Sequence, residues 1–404
     1  MRRRKKERII ISVFILISLL LFGLVIAFNK VREKTYNMAE NQVTSQVTEK
    51  NTYKEKSEDT AKRVSFAGVG DNLIHDSIYN AADMRKGVYG DGQYDLDKLY
   101  ENIKPSLDKY DLRYINQESI VAGDQYGKSN YPLFNTPQAI IPSIEKAGFN
   151  IINMANNHSL DRGSQGLVDS IKLWDKTGLC HIGAYESEES RRKPVIIEKK
   201  GIKIGLIAYT YGTNGMSPDT PYRIGYLNEK DIRSDIARLR RAGVDFILAS
   251  AHWGQEGQLA IDSVQMRYAQ LFNDLGVDVV LGTHAHRIQK VEWKTNDKGE
   301  KTLIYYGTGN FVANMIGAHT YLEGMASFDF VKKGNDKYID NPKFIPLVCH
   351  LEANQYGYDG SVYRLDEYPV ELANRHLYMR GAGAYNIELY KNSVNSIVPK
   401  EFLE

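Results

Sequence analysis

The chain has 404 residues, 42% hydrophobic and 25% charged, with a formal net charge of +2, a balance that predicts one large or two smaller folded domains and excludes wholesale disorder. Within the first eight residues Arg2, Arg3, Arg4, Lys5, Lys6 and Arg8 stand against Glu7; this local +5 leaves −3 for the rest and excludes a nucleic-acid binder built on a basic body. Two cysteines, Cys180 and Cys349, exclude a disulfide scaffold, a four-cysteine zinc site and an iron–sulfur cluster, so any metal must sit on His, Asp, Glu or Asn.

The basic cluster leads into Ile9 to Phe28, twenty positions without a charge. As a helix this run reaches about 30 Å, the thickness of the hydrocarbon layer. It exceeds the usual signal-peptide core of about 7 to 15 residues and no A-x-A-like site follows it, so it reads as an uncleaved anchor. Positive charge is retained on the cytoplasmic side, which predicts a single-pass protein of the cell membrane with its N-terminus cytoplasmic and its C-terminal domain extracellular. Residues 1–28 are thus the basic stub and transmembrane helix. The polar stretch 29–62 cannot bury enough apolar surface to order itself and is expected to be a flexible stalk.

From Arg63 onward apolar runs alternate with amphipathic stretches. VSFAGVGD opens as a strand into a Gly-rich turn, a helical pattern covers Leu96 to Tyr110, and DLRYINQE is a second strand. PQAIIPSIEKAGFNIINMANNH reads as helix, turn and buried strand, and SQGLVDSIKLWDKTGLCHIGA repeats that order. PVIIEKKGIKIGLIAYT reads as a hairpin through Lys200-Gly201; two further helix-to-strand units end at AHWG and GTHAH, and KTLIYYGTGNF adds a strand. This grammar predicts an α/β domain over 63–315 with a largely parallel sheet. In 316–404, GMASFDFVKK and KFIPLVCHLEA read as antiparallel strands around the polar turn GNDKYIDN that complete a second sheet, and VELANRHLYMR as a helix-like piece in the tail.

Three strong strands run straight into histidine: IINMA into Asn156-Asn157-His158, FILASA into His252, and VVLG into His284-Ala285-His286. Two others end at Asp71 and at Gln117-Glu118. Ligands of open α/β sheets collect outside the carboxyl ends of strands, so these residues are expected to converge on one rim. Asp71, Glu118, Asn157, His252, His284 and His286 form a donor set suited to Zn, Mn, Fe or Mg in one or two sites. An extended His-x-His would put both rings on one side. Two cations about 3.5 to 4 Å apart clamp the attacking and leaving oxygens of a displacement, with His158 left free as general acid. Tyr211 and Asn214, at the end of a further strand, are candidate groove residues.

In order, GDNLIHD, NQESIVAG, NMANNHSLDRG, AHWGQEG, GTHAHRIQ and YYGTGNF resemble the bacterial capsule synthesis protein CapA, or poly-γ-glutamate biosynthesis, family, a divergent branch of the calcineurin-like metallophosphoesterases. The resemblance implies a layered metallophosphatase-like β-sandwich with flanking helices. It places Asp71, Glu118, Asn157, His252, His284 and His286 as metal ligands and His158 as acid. Asn156 would orient His158, Asp161 would hydrogen-bond it, and Arg162 would meet an anionic substrate; the last two read equally well as a turn cap and a solvated arginine. Two departures stand out. Asp71 is followed by Asn72 and Leu73 where the superfamily has Asp-x-His, leaving His75 as a ligand, an outer support or a surface residue, and a glutamate replaces the bridging aspartate. One metal or two is therefore open.

The functions implied are synthesis, release or attachment of an anionic polymer such as poly-γ-glutamate by a metal-dependent hydrolase or transferase. The alternatives are a non-catalytic accessory subunit docked to a membrane synthase or exporter, and a surface phosphoesterase.

Overall fold

A computed structural model describes residues 20, 23–24, 26–34, 61–315, 317–377 and 386–404. The chain divides into Met1–Ala61 and Lys62–Glu404. In the first unit, positions 20, 23–24 and 26–34 are helical. The expected span Ile9 to Phe28 falls mostly outside the described residues, as does most of the stalk; among the described residues no helix is long and apolar enough to cross a membrane.

Among its described residues the second unit has fourteen strands: β1 (Lys62–Leu73), β2 (Leu112–Asn116), β3 (Ile151–Asn153), β4 (Cys180–Ile182), β5 (Val195–Lys199), β6 (Ile202–Thr210), β7 (Phe246–His252), β8 (Val279–Thr283), β9 (Val291–Thr295), β10 (Lys301–Tyr305), β11 (Asn310–Ala313), β12 (Leu322–Lys333), β13 (Asp336–Ala353) and β14 (Tyr358–Arg364). They form an eight-stranded sheet in the order β14-β13-β12-β1-β2-β3-β4, with β11 also on β1, and a six-stranded sheet in the order β5-β6-β7-β8-β10-β9. The two-sheet α/β sandwich with flanking helices is the architecture expected.

Strand parity explains the layering. Along β7, Phe246 and Leu248 join the core shared by both sheets, while Ile247, Ala249 and Ala251 join a second core with Ile232, Ile236 and Leu239 of helix Glu229–Arg241 and Ala269 and Phe272 of helix Ser263–Asp274. Successive side chains on a strand face opposite ways, so Ser250 and His252 also face the first sheet; the Ser250 hydroxyl lies 2.6 Å from that of Tyr114 on β2. Phe246 and Phe330 close the same interface at 5.1 Å between ring centroids.

Sheet polarity is mixed. β1 to β4 pair in parallel, as do β6, β7, β8 and β10, but β12, β13 and β14 add antiparallel strands. These C-terminal strands extend the sheet that contains β1 and do not complete a second one. Phe328 and Phe330 on β12 pack on Phe66 of β1, at 4.7 and 6.1 Å between centroids, a burial that pairing with the other sheet would forfeit. The turn between β12 and β13 is only Gly334-Asn335; the rest of the expected polar turn is strand. The hairpin through Lys200-Gly201 is present, with both residues at positive φ (50° and 74°) as a tight hairpin turn demands. KTLIYYGTGNF makes two strands, β10 and β11. Among the described residues of VELANRHLYMR, Val370–Ala373 is helical, and Ile387–Ile397 forms a helix that the sequence reading does not anticipate.

Candidate metal centre

Parallel strands deliver their carboxyl ends to one rim. β1 carries Asp71 near its end, Gln117-Glu118 follows β2, Asn156-Asn157-His158 follows β3, β7 ends on His252, and His284 follows Thr283 at the end of β8. The register of β1 shifts against β2 between Gly68 and Asp71 and against β11 between Asp71 and Asn72. Such irregularities re-aim a side chain. The Asp71 carboxylate accepts from the Asn116 amide (2.6 Å) and from the His284 backbone N–H (3.1 Å).

Glu118 is fully buried, and neither carboxylate oxygen has a hydrogen-bond partner. Its Oε1 lies 3.7 Å from His252 Nε2 and 3.8 Å from His286 Nε2, between the two rings. His252 Nδ1 is 2.8 Å from the Thr283 hydroxyl and its Nε2 is 2.9 Å from Asn157 Oδ1. His286 Nδ1 is 2.8 Å from Asn310 Oδ1 and 3.3 Å from Asp71. Asn310 in turn donates to the Thr320 carbonyl at 2.9 Å, which fixes its oxygen toward the ring. Thr283 and Asn310 thereby hold the Nδ1 side of each ring and turn Nε2 to the centre, the outer support that metal-bound imidazoles require. His284 Nδ1 is buried without a partner.

His-x-His brings both rings to the centre, but by a route other than an extended strand: His284 and His286 sit at positive φ (90° and 51°), in a turn beyond β8. Ring centroids of His284 lie 4.7 Å from His252 and 5.9 Å from His286.

Electrostatics follow from burial. Desolvation pushes Glu118 well above the usual carboxylate range, helped by the nearby Asp71 charge. It drives His252 well below its ordinary value, and His284 down to about 3, with the neighbouring histidines adding to both. Burial opposes a charge on His286, yet Glu118 and Asp71 outweigh it and push that ring up to about 10. A proton is thus held on His286, beside the Glu118 and Asp71 carboxylates.

Ligand atoms of Glu118, His252 and His284, of Asp71, Glu118 and His286, and of Glu256, His284 and His286 lie within 4.8 Å of one another in each group. The orphaned Glu118 oxygens, the unpartnered His284 nitrogen and the mixed nitrogen and oxygen donors fit one or two divalent cations. All six expected ligands come together, with Asn157 joined through His252.

His158 is buried, with Nδ1 2.7 Å from Asp161 Oδ2 and its ring edge-on to Phe134 at 4.8 Å. The Asn156 side-chain oxygen accepts from the His158 backbone N–H (3.1 Å), so Asn156 fixes the residue through its main chain. Arg162 donates to the carbonyls of Leu133 (2.7 Å) and Asp161 (3.2 Å), bracing the loop above Phe134. Tyr211, 44% exposed, lies tilted against His284 at 4.5 Å between ring centroids and is the groove candidate at the centre. Asn214 occupies an exposed left-handed turn (φ 50°) and enters none of these contacts. His75 packs edge-on to Phe134 at 5.4 Å and receives the Asn314 N–H at 3.1 Å, away from the grouped ligand atoms. Cys180 and Cys349 are both free.

Sequence reasoning missed Glu256, Asn310, Thr283 and Glu323. Glu256, four residues beyond His252 in the same Gly-rich turn, had a readable spacing. Glu323, near the start of β12, is a fully buried carboxyl whose oxygens have no hydrogen-bond partner, its pKa raised by burial and by Asp71.

A family model described as "Bacterial capsule synthesis protein PGA_cap" matches residues 65–315. Among curated proteins, the chain is 25% identical over 231 residues to "Capsule biosynthesis protein CapA" of Bacillus anthracis, covering 54% of each chain. It is 23% identical over 263 residues to "PGA biosynthesis protein CapA" of Bacillus subtilis, covering 62% of this chain and 66% of that one. The chain thus spans about half to two thirds of the length of these relatives. Among solved structures it is similar to the calcineurin-like phosphoesterase YfkN of Bacillus subtilis, with 13% identity, 83% and 97% coverage and a TM-score of 0.40.

Proposed function

Because the chain belongs to the bacterial capsule synthesis protein family PGA_cap, we propose that it serves the synthesis, release or attachment of an anionic polymer of the poly-γ-glutamate class, as a metal-dependent hydrolase or transferase. The two curated relatives above are described as capsule and PGA biosynthesis proteins, which supports the role. The observation that carries the chemistry is Glu118, a buried carboxylate with two unpartnered oxygens set between the Nε2 atoms of His252 and His286 at 3.7 and 3.8 Å.

When bound there, a divalent cation lowers the pKa of water and polarises a carbonyl or phosphoryl oxygen. The chain's own side chains do the rest. Asp161 accepts a hydrogen bond from His158 Nδ1 and so orients Nε2 toward the leaving group, the arrangement of an oriented general acid. Tyr211 lays an exposed ring against His284, a flat surface for the substrate backbone. The reading includes a single-pass anchor at Ile9 to Phe28 with the body outside the cell, where an exported polymer is met; membrane synthase or exporter subunits are its partners. It includes no nucleic acid.

The test uses the full-length chain supplied with Mn²⁺ or Zn²⁺. Shortening of poly-γ-glutamate, lost by about 10²-fold or more in His158→Ala, is the expected result. Metal binding without any turnover rejects catalysis in favour of an accessory subunit, and turnover of an aryl phosphate alone rejects the polymer in favour of a phosphoesterase.

A further inference from the structure

We propose that Glu256, in the loop after β7, is a metal ligand that closes the centre from the solvent side. This rests on the metal-dependent reading above and extends it to a residue that no strand end supplies.

The need comes from coordination number. One group of donors, Glu118, His252 and His284, is joined by Asn157 through its 2.9 Å approach to His252 Nε2. The other, Asp71, Glu118 and His286, has three members and shares one of them. Divalent cations of this class take four to about six ligands. Nothing beyond Asp71 on β1 adds a donor: the Asn72 side chain is committed to Gln117 (2.8 Å) and Tyr100 (3.0 Å), Leu73 is apolar, and His75 turns its ring to Phe134.

Glu256 meets the need by position. Its carboxylate lies within 4.8 Å of ligand nitrogens of both His284 and His286, one from each group. Glu118 reaches both groups from within, fully buried; Glu256 reaches both from without, exposed. The loop is fastened to the His-x-His turn, since the Gly257 N–H donates to the Ala285 carbonyl at 2.8 Å and the Gln289 side chain donates to the Gln258 carbonyl at 3.1 Å. The Trp253 N–H donates to the Thr283 carbonyl at 3.2 Å. Glu256 is therefore held beside the two rings by backbone bonds on either side of it. The unpartnered, buried Nδ1 of His284 is an independent sign that this ring awaits a cation. With Asp71, Glu118 and Glu256 the set is rich in carboxylate, which favours Mn²⁺ among the ions considered.

The test compares full-length wild-type protein with Glu256→Ala and Glu256→Gln by Mn²⁺ titration and by the visible absorption of the Co²⁺-loaded protein. Glu256 is exposed, so the variants are expected to match the wild-type Tm in EDTA. The expected result is a loss of Mn²⁺ affinity of about 10-fold or more in both variants, with an altered Co²⁺ spectrum. Unchanged affinity and spectrum, in a wild type that binds tightly, overturn the role of Glu256 and leave the metal centre standing. Weaker affinity with an unaltered spectrum also overturns it, because a lost charge acting at a distance changes attraction without changing coordination. A wild type that binds no divalent ion overturns both readings.

Discussion

Glu118 keeps both carboxylate oxygens from water and from any hydrogen-bond donor, and in the metal-free protein its pKa is raised by burial and by Asp71. His286, raised to about 10 mainly against its own burial by Glu118 and Asp71, holds the compensating charge. Both folded-state values lie above the unfolded ones, so the stability these groups contribute is complete below their unfolded pKa and is lost as pH rises through the folded one. His252 and His284 are shifted the other way, and above about pH 7.5 they are neutral folded or unfolded and drop out. In EDTA the Tm should therefore fall between about pH 7.5 and 9.5. Saturating Mn²⁺ should suppress the fall, because the cation takes the place of the proton. Calorimetry across that range checks it; identical pH profiles with and without metal sink the electrostatic account. At this scale the sequence exposed what spacing can encode. His284 and His286 were readable as a pair, although the geometric reason differs, a turn at positive φ in place of extended backbone. Asn310 was not readable, because its tie to His286 depends on β11 lying beside β1, which no local pattern announces.

Elements place these residues by parity and by close approach. The alternation of β7 was legible as a hydrophobic run, and the same alternation carries His252 to the face shared by the two sheets. The β1 edge was not. β12 pairs with β1 from Lys62 to Val69, and β11 takes over the same edge at Asp71. The handover brings the Gly309 carbonyl to accept the Asp71 N–H at 3.1 Å, and a Cβ on Gly70 would stand 1.9 Å from that oxygen. Gly70→Ala must push the two backbones apart, since neither is a flexible side chain. The expected cost is about 3 kcal/mol or more, at the upper end of overpacking penalties, together with loss of Mn²⁺ binding as Asp71 leaves its register with Asn310. Gly212, with nothing within 4 Å of an added Cβ, is the contrast: Gly212→Ala should stay within about 0.5 kcal/mol of wild type. Thermal unfolding paired with Mn²⁺ titration measures both. A Gly70→Ala protein of wild-type stability and affinity would mean that the close approach does not position Asp71.

For the whole molecule, the parallel half was readable because each helix-to-strand unit is local, whereas the antiparallel half joins residues as far apart as Lys62 and Lys332. Pairing over such a separation leaves no signature except the fit of side chains once formed, here Phe66 on Phe328. The proposed membrane anchor belongs to this scale too, and rests on composition. Apolar residues such as Leu, Ile, Phe and Val each favour insertion by about 0.3 to 0.6 kcal/mol at a helix centre, and Ile9 to Phe28 is built almost wholly from them with no charge to offset the gain. The remainder after Glu7 and Arg8 carries a net −3 and has no electrostatic attraction to an anionic bilayer of its own. Attachment should then depend on the apolar run alone: the full chain should stay with membranes through carbonate and high-salt washing, and removal of residues 1–28 should release the body into the soluble fraction. In the proposed topology the six cations before Ile9 hold the N-terminus inside, so a protease added to cells with an opened wall should digest the body while a tag placed before Arg2 stays protected. A protected body with a cleaved tag would reverse the topology and, with it, the encounter with an exported polymer; release by salt alone would replace insertion with surface adsorption.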